Sequence, residues 1–453
     1  MERMDADVCI IGAGFAGLSA AQALVKAGRT VAVLEARDRV GGRVWSRSTP
    51  DGHHLEVGGT WIGAGHDRLN AFAREGGFGT YPTYETGDSI LVIDGKHRRY
   101  SGLIPPVDIL SMASMGVVLE ELGTMAKTIP LEAPWTAPKA AEWDAITLGG
   151  WLSSRWNVWT GTAQNIIAAP FGGLFCVHPA ETSMLHVVFL SASAGGPQFL
   201  VSIKGGAQQD LLDGPMQGIA EHIAGKLGDA VHLNSPVRRI SQDADAATAM
   251  SDTSEVRARR VIVATPPFLA GQIDYDPPLP VDHAHLFRRT SSGAVIKTIA
   301  VYDEPFWRAD GLMGQTLNPD SPVPVSLDDS PKSGKPGVIA SFSFGPPALT
   351  LGKMAPEERR RIWMNELAQR FGPKAASPVF VIEQDWSKER WTGGGMITHF
   401  APGVLTNYGP LLRAPVGRIH WANTETATHF HGMIEGAIRS GERAATEVLR
   451  LPD

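Results

Sequence analysis

Residues 7–18 read Asp-Val-Cys-Ile-Ile-Gly-Ala-Gly-Phe-Ala-Gly-Leu, and an acid, Glu35, stands eighteen residues after Gly17. Gly12 permits a tight turn, Gly14 lets a pyrophosphate approach the backbone, and Gly17 lets a helix pack on the preceding strand. Phosphates held there would meet the positive end of the helix dipole. Glu35 closes the apolar run Thr30-Val31-Ala32-Val33-Leu34, where an acid can bind ribose hydroxyls. Between Glu35 and Arg43, the adjacent Gly41 and Gly42 lie among arginines, a second source of N–H groups and cations for a pyrophosphate. The pattern predicts a dinucleotide that supplies the hard chemistry while the protein orients and tunes it. Far downstream, Lys297 sits in the apolar run Val295–Val301, where a charged amine is costly without a task or partner.

These groups need strands and helices to hold them. Residues 1–80 read as strand, helix, strand and a glycine-rich region, with an alanine-rich helix over Ser19–Lys26 stopped by Ala27-Gly28. Residues 81–204 mix short apolar segments with prolines and tryptophans. Short strands are predicted at 230–233, 260–264 and 295–301. Ser241–Glu255 reads as a polar hairpin tip or loop, and Asn318–Gly337 as an exposed connection. Helices are predicted over 357–371 and 433–449. The latter places Ile434, Ala437, Ile438, Gly441, Ala445, Val448 and Leu449 on one face.

At 453 residues the chain is too long for one core, and 43% apolar with 19% charged residues indicates a globular protein. The net charge of −6 and the lack of a basic stripe argue against nucleic acid. Arg359-Arg360-Arg361 reads as a solvated helix face. Two cysteines, Cys9 and Cys176, give no disulfide framework, and no signal peptide or long apolar run is apparent; a cytoplasmic protein with no membrane span is expected. His178 and His186 are eight residues apart without a third ligand, so no metal is expected.

The chain resembles the flavin-dependent amine oxidases of the monoamine oxidase type along nearly its whole length. The landmarks are Gly12–Gly17, Glu35–Arg43, Leu55–Gly63, Lys204–Gln208, Ser235-Pro236-Val237, Val295-Ile296-Lys297, Glu304–Arg308, Trp391–Met396 and Ala422–Ala427. The resemblance implies an α/β, two-domain flavoprotein oxidase. Its Rossmann-like FAD domain, of the glutathione-reductase type, would comprise 1–80, 205–285 and 392–453, interleaved with a substrate domain from 81–204 and 286–391. It implies FAD around Gly12, Gly14, Phe15, Ala16 and Gly17. Glu35 would hold the ribose beside Ala36, and Arg37, Gly41, Gly42 and Arg43 would face the phosphates and ribityl chain. Gly58, Gly59, Thr60 and Trp61 would lie beside the flavin ring, with Trp386 and Trp391 near it. Val237 would face the adenine. Glu425 and Thr426 would meet the ribityl-pyrophosphate region, with the following helix pointing its N-terminus toward the flavin's pyrimidine edge, and Asn423 and Met433 would also bind the cofactor. Lys297 is the expected catalytic residue, acting in reoxidation by molecular oxygen. A homodimer is the family habit.

Two departures matter. Members with covalent flavin carry a cysteine where this chain has Gly395, so a non-covalent FAD is expected. Many members flank the substrate amine with two aromatic rings; the matching positions here are Met396 and Met433, a softer and less directional wall. Phe175 and Cys176 match a segment that lines the substrate cavity. His399 and His431 could add polarity or act as structural hydrogen bonders. The implied reaction is oxidation of a C–N bond in a primary or secondary amine, bulky, apolar or cyclic, by hydride transfer to flavin N5, with hydrogen peroxide formed from oxygen. The alternative is carbon–carbon desaturation or isomerisation of an apolar cyclic compound.

Overall fold

The computed structural model describes residues 2–451 apart from 156, 157 and 159. Two large sheets organise these residues. In the first, β1 (Glu2–Ile11) pairs in parallel with β2 (Val31–Leu34) on one side and with Ser254–Val263 on the other. The strand Ile419–Trp421 also pairs in parallel with Ser254–Val263. Alternation along β1 divides the packing: Val8 and Ile10 join one core cluster, Cys9 and Ile11 another.

Helix α1 (Phe15–Lys26) packs on β1 and against the helix Ile434–Leu449. It begins four residues before the predicted start, because its first turn, Phe15–Leu18, is itself buried. Gly17 allows this: a Cβ there would lie 1.9 Å from the Gly12 carbonyl oxygen. The two helices are equally close, since a Cβ at Gly441 would lie 2.1 Å from the Ala16 carbonyl oxygen.

The second sheet is mixed and seven-stranded. Its strand Val295–Tyr302 is buried at every position and pairs antiparallel with Gly337–Phe344 and Phe380–Asp385. The helix Pro356–Phe371, close to its predicted limits, places Trp363 and Leu367 in the core beside this sheet.

Three expectations need correction. Ser241–Glu255 is not a loop: Ala247–Ser251 is a strand paired on both sides, with Ala247 and Ala249 fully buried. Small side chains gave no apolar signal, yet they suit a crowded sheet face. Within Asn318–Gly337, Val325–Asp328 is a strand, and Asp328 is buried because it accepts hydrogen bonds from Trp307 Nε1 and from Arg308. Arg359 is also buried, paired with Glu383 at 3.0 Å. The 18-residue helix Ile109–Ala126 has the length and composition of a membrane span, as buried core helices also can, and Met115, Val118, Leu122 and Met125 pack in the core.

The contact at Gly441 generates a test. Gly441→Ala should lower unfolding stability by about 2 kcal/mol through overpacking, whereas Gly225→Ala, which faces open space, should be neutral or slightly stabilising. Denaturant unfolding of both variants reads the difference.

Candidate active site

A cavity of about 610 Å³ joins the glycine turns after β1 to the second sheet. At the first end the two glycine turns are tied together, Gly41 N–H donating to the Ala13 carbonyl at 2.9 Å. Gly12 takes φ +101°, a conformation that favours glycine. The carboxylate of Glu35 accepts from Ala13 N at 2.7 Å and from Arg37 N at 3.0 Å, and so is held in place with lone pairs to spare. Arg37 reaches Thr392 and Glu389. Trp391 lies between the guanidiniums of Arg238 and Arg390, 5.2 and 4.6 Å from its ring centre.

Lys297 occupies the middle of the cavity wall. Its Nζ donates to Thr60 Oγ1 at 2.6 Å and to the Gly58 carbonyl at 3.3 Å. The rings of Trp61 and Phe342 flank it at 5.3 and 5.4 Å. Burial pushes the amine's pKa below the ordinary lysine value, against the opposing charges of Asp329 and Glu56. The site thus presents an amine that can exchange a proton more readily than a surface lysine.

Most of the expected site residues line this one cavity: Gly12, Gly14, Phe15, Ala16, Glu35 and Ala36, then Arg37, Gly41, Gly42 and Arg43. Gly58, Gly59, Thr60, Trp61, Val237 and Lys297 do too, as do Trp386, Trp391, Met396, Asn423 and Met433. Five do not. Gly17 serves packing. Glu425 stands behind the wall, binding Arg43 at 2.7 and 3.1 Å and accepting from Thr398 N and Oγ1. Burial raises its pKa, but Arg43 and Thr398 outweigh that and hold it below the usual range. Thr426 bonds Asn423 and Ser440. Phe175 packs against His186, and Cys176 turns its thiol to the Gly173 carbonyl; Phe171, Gly173 and Leu174 face the cavity instead. The segment was identified, but the helix Gly161–Phe175 turns a different face inward.

Sequence reasoning passed over other lining groups. Arg238 and Arg390 adjoin Val237 and Trp391 in the chain, and Gln208 ends a matched segment. Gln315 had no signal; it comes from a strand of the second sheet. His431 lines the cavity, whereas His399 bonds Ser291 Oγ at 2.8 Å.

The sequence pattern of the flavin containing amine oxidoreductases matches residues 15–449. The chain belongs to that family. AofH of Mycobacterium tuberculosis, assigned by name to the flavin-containing monoamine oxidases, is 39% identical across 98% of this chain and 97% of its own. A putrescine oxidase bound to putrescine superposes with a TM-score of 0.95 at 35% identity, covering 99% of this chain and all of that one. Cyclohexylamine oxidase from Brevibacterium oxydans IH-35A gives 0.94 at 32% identity, with 98% of both chains covered. The α/β fold is that of these flavoprotein oxidases, and the protein is an oxidoreductase acting on amines with FAD as cofactor.

The residues of this amine oxidase fit FAD. Buried Arg37 Nε, Asn423 Oδ1, Thr265 Oγ1 and Trp61 Nε1 have no protein partner, and all four residues line the cavity. An unpaired buried polar atom is costly, so a polar ligand in the cavity suits these four. Among the described lining residues the only carboxylate is Glu35, against Arg37, Arg43, Arg238, Arg390 and Lys297, a balance suited to a pyrophosphate.

Breaking the Arg43 pair should be costly. Glu425→Ala leaves a partly buried guanidinium without its carboxylate and should destabilise the protein by about 3 kcal/mol. Weaker retention of flavin on gel filtration should accompany it. Acid should act separately. Burial lowers the pKa of His66 and of His431 to about 4 from the free value of 6.5. The unfolded chain then binds more protons between these limits, so stability falls as pH drops from 6.5 toward 4. Calorimetric midpoints at pH 7, 6 and 5 should decline in that order.

Proposed function

We propose that this amine oxidase oxidises the C–N bond of an apolar monoamine, primary or secondary, with oxygen as acceptor and hydrogen peroxide as product. The observation that carries the reading is the apolar chamber in front of Lys297, lined by Ile166, Phe171, Leu190, Leu327, Met396 and Met433. In this reading residues 1–80, 205–285 and 392–453 hold the cofactor, and 81–204 with 286–391 form the substrate unit. FAD, when bound, accepts two electrons from the substrate carbon and delivers them to oxygen.

The protein supplies the setting. Glu35 would hold the ribose, Arg37 and Arg43 would offset the phosphate charge, and Trp61 and Lys297 would bound the space for the reacting ring. The apolar wall excludes water and favours the neutral amine, whose lone pair must be free before the C–H bond is broken. Lys297 Nζ, anchored by Thr60 and Gly58, retains capacity to hold a water or a proton during reoxidation. A tight apolar chamber also favours cyclohexylamine, the substrate named for one structural neighbour, over putrescine, bound by the other. Among the described lining residues no carboxylate beyond Glu35 is available for a second ammonium.

Cyclohexylamine should bleach the flavin anaerobically and yield peroxide in air; a broad panel of amines that leaves the flavin oxidised overturns the reading. Putrescine should show kcat/KM lower by about a hundredfold or more, the cost of burying an unpaired charge. Lys297→Met should slow reoxidation about a hundredfold while changing anaerobic reduction much less, a split read by stopped flow. Gly395 offers no nucleophile, and a Cβ there would lie 2.6 Å from Val295 Cγ1. Acid precipitation should therefore release the yellow colour to the supernatant.

A further inference from the structure

His186 and His431 lie 245 residues apart in sequence, yet their Nε2 atoms are 3.0 Å apart. Both rings are fully buried. His431 lines the cavity beside Met433; His186 does not reach it. From this geometry we infer that His186 is a positioning residue for amine oxidation, one that locks His431 as an uncharged ring in the cavity wall.

The lock follows from the order of donors. Phe400 N–H, which can only donate, points to His186 Nδ1 at 3.1 Å. That nitrogen must be bare, so the proton of neutral His186 sits on Nε2. Nε2–H then donates to His431 Nε2, which must also be bare, and the His431 proton sits on Nδ1. Nδ1–H faces the Ala427 carbonyl without a full hydrogen bond. An imidazolium carries hydrogen on both nitrogens. A proton added to His186 would meet Phe400 N–H, and one added to His431 would meet His186 Nε2–H. Every added proton sets two donors face to face.

The surroundings reinforce this. Phe175 and Phe400 flank the His186 ring at 4.6 and 4.5 Å, and Phe189 packs on His431 at 4.7 Å. The charged and titratable groups that face His431 are Glu425, Arg43, Arg413 and His186; those that face His186 are His431 and His399. The backbone of the His431 loop is anchored separately, Phe430 N to the Ser193 carbonyl at 2.9 Å and His431 N to Ser193 Oγ at 3.2 Å. The imidazole pair is therefore not what holds the loop in place.

The purpose rests on the amine reading. When the C–H bond breaks with its electron pair, the nitrogen lone pair forms C=N, and the substrate becomes a cationic iminium. A second cation in the adjoining wall would oppose that charge. Locking His431 neutral removes the opposition across the pH range in which a free histidine titrates.

The test compares His186→Leu, His186→Gln and the double variant His186→Leu/His431→Phe as FAD holoenzymes. Anaerobic flavin reduction by cyclohexylamine is followed from pH 5.5 to 9. Gln can accept from Phe400 N–H and donate to His431, so it should keep the wild-type profile. Leu should add an acid limb that wild type and Gln lack, and the double variant should lose that limb. In parallel, histidine-selective ¹⁵N NMR of the substrate-free holoenzymes should show neutral His431 at pH 6 in wild type, with its proton on Nδ1, and an imidazolium midpoint shifted upward in His186→Leu. Equal loss at every pH in both single variants, or an unchanged profile in His186→Leu, overturns the proposal. Should His186→Leu not fold, a wild-type His431 at pH 6 that is charged, or neutral with its proton on Nε2, overturns it, and a neutral ring with its proton on Nδ1 supports it. If cyclohexylamine fails to reduce the wild-type flavin, the amine reading fails, while the NMR still judges the pair.

Discussion

Taking the Lys297 amine out of water is the constraint around which the site is arranged. A lone ammonium at that depth would cost several kcal/mol. The chain meets the cost with the Gly58 carbonyl, the Thr60 hydroxyl and two ring faces, and lets the amine's pKa fall. Those partners come from elsewhere: Gly58, Thr60 and Trp61 belong to the segment after the first nucleotide-binding unit, Phe342 to the neighbouring strand. Each must be placed to within a few tenths of an ångström. A strand buried at all eight positions and paired on both sides is a rigid enough support.

The same economy governs the other charges. Glu425 is fully buried but holds Arg43 with both oxygens and takes two further hydrogen bonds from Thr398. Arg37 is tied to Thr392 and Glu389, and Asp328 to Trp307 and Arg308. Many charged groups inside this protein are fixed in pairs, and several of the polar atoms left unpaired line the cavity, where a ligand can complete them.

Much of this was legible in the residues alone. Gly12, Gly14 and Glu35 announce themselves through spacing, and Lys297 through its incongruity in an apolar strand. The helix Ile434–Leu449 was readable because its apolar face repeats at helical spacing. The readings that failed share a cause: they took polarity or small size as exposure. Ala247 and Ala249 are too small to signal a buried strand, and Asp328 and Arg359 are buried because distant partners neutralise them. Glu425 was expected to face the ligand but stands behind the cavity wall, bonded to Arg43 and Thr398. The direction of Phe175 depends on how its helix is rotated, which periodicity over a uniformly apolar stretch does not reveal. The pairing of His186 with His431 had no local trace at all.

The first sheet draws its strands from residues 2–34, 231–276 and 419–421, and α1 is covered by residues 434–449. During synthesis the opening βα unit therefore waits, with one apolar flank bare, until nearly the entire polypeptide has left the ribosome. Neither sheet can mature as an independent vectorial unit, and the nascent chain depends on holding factors or speed for several hundred residues. A product truncated before the final helix would leave the apolar flank of α1 bare.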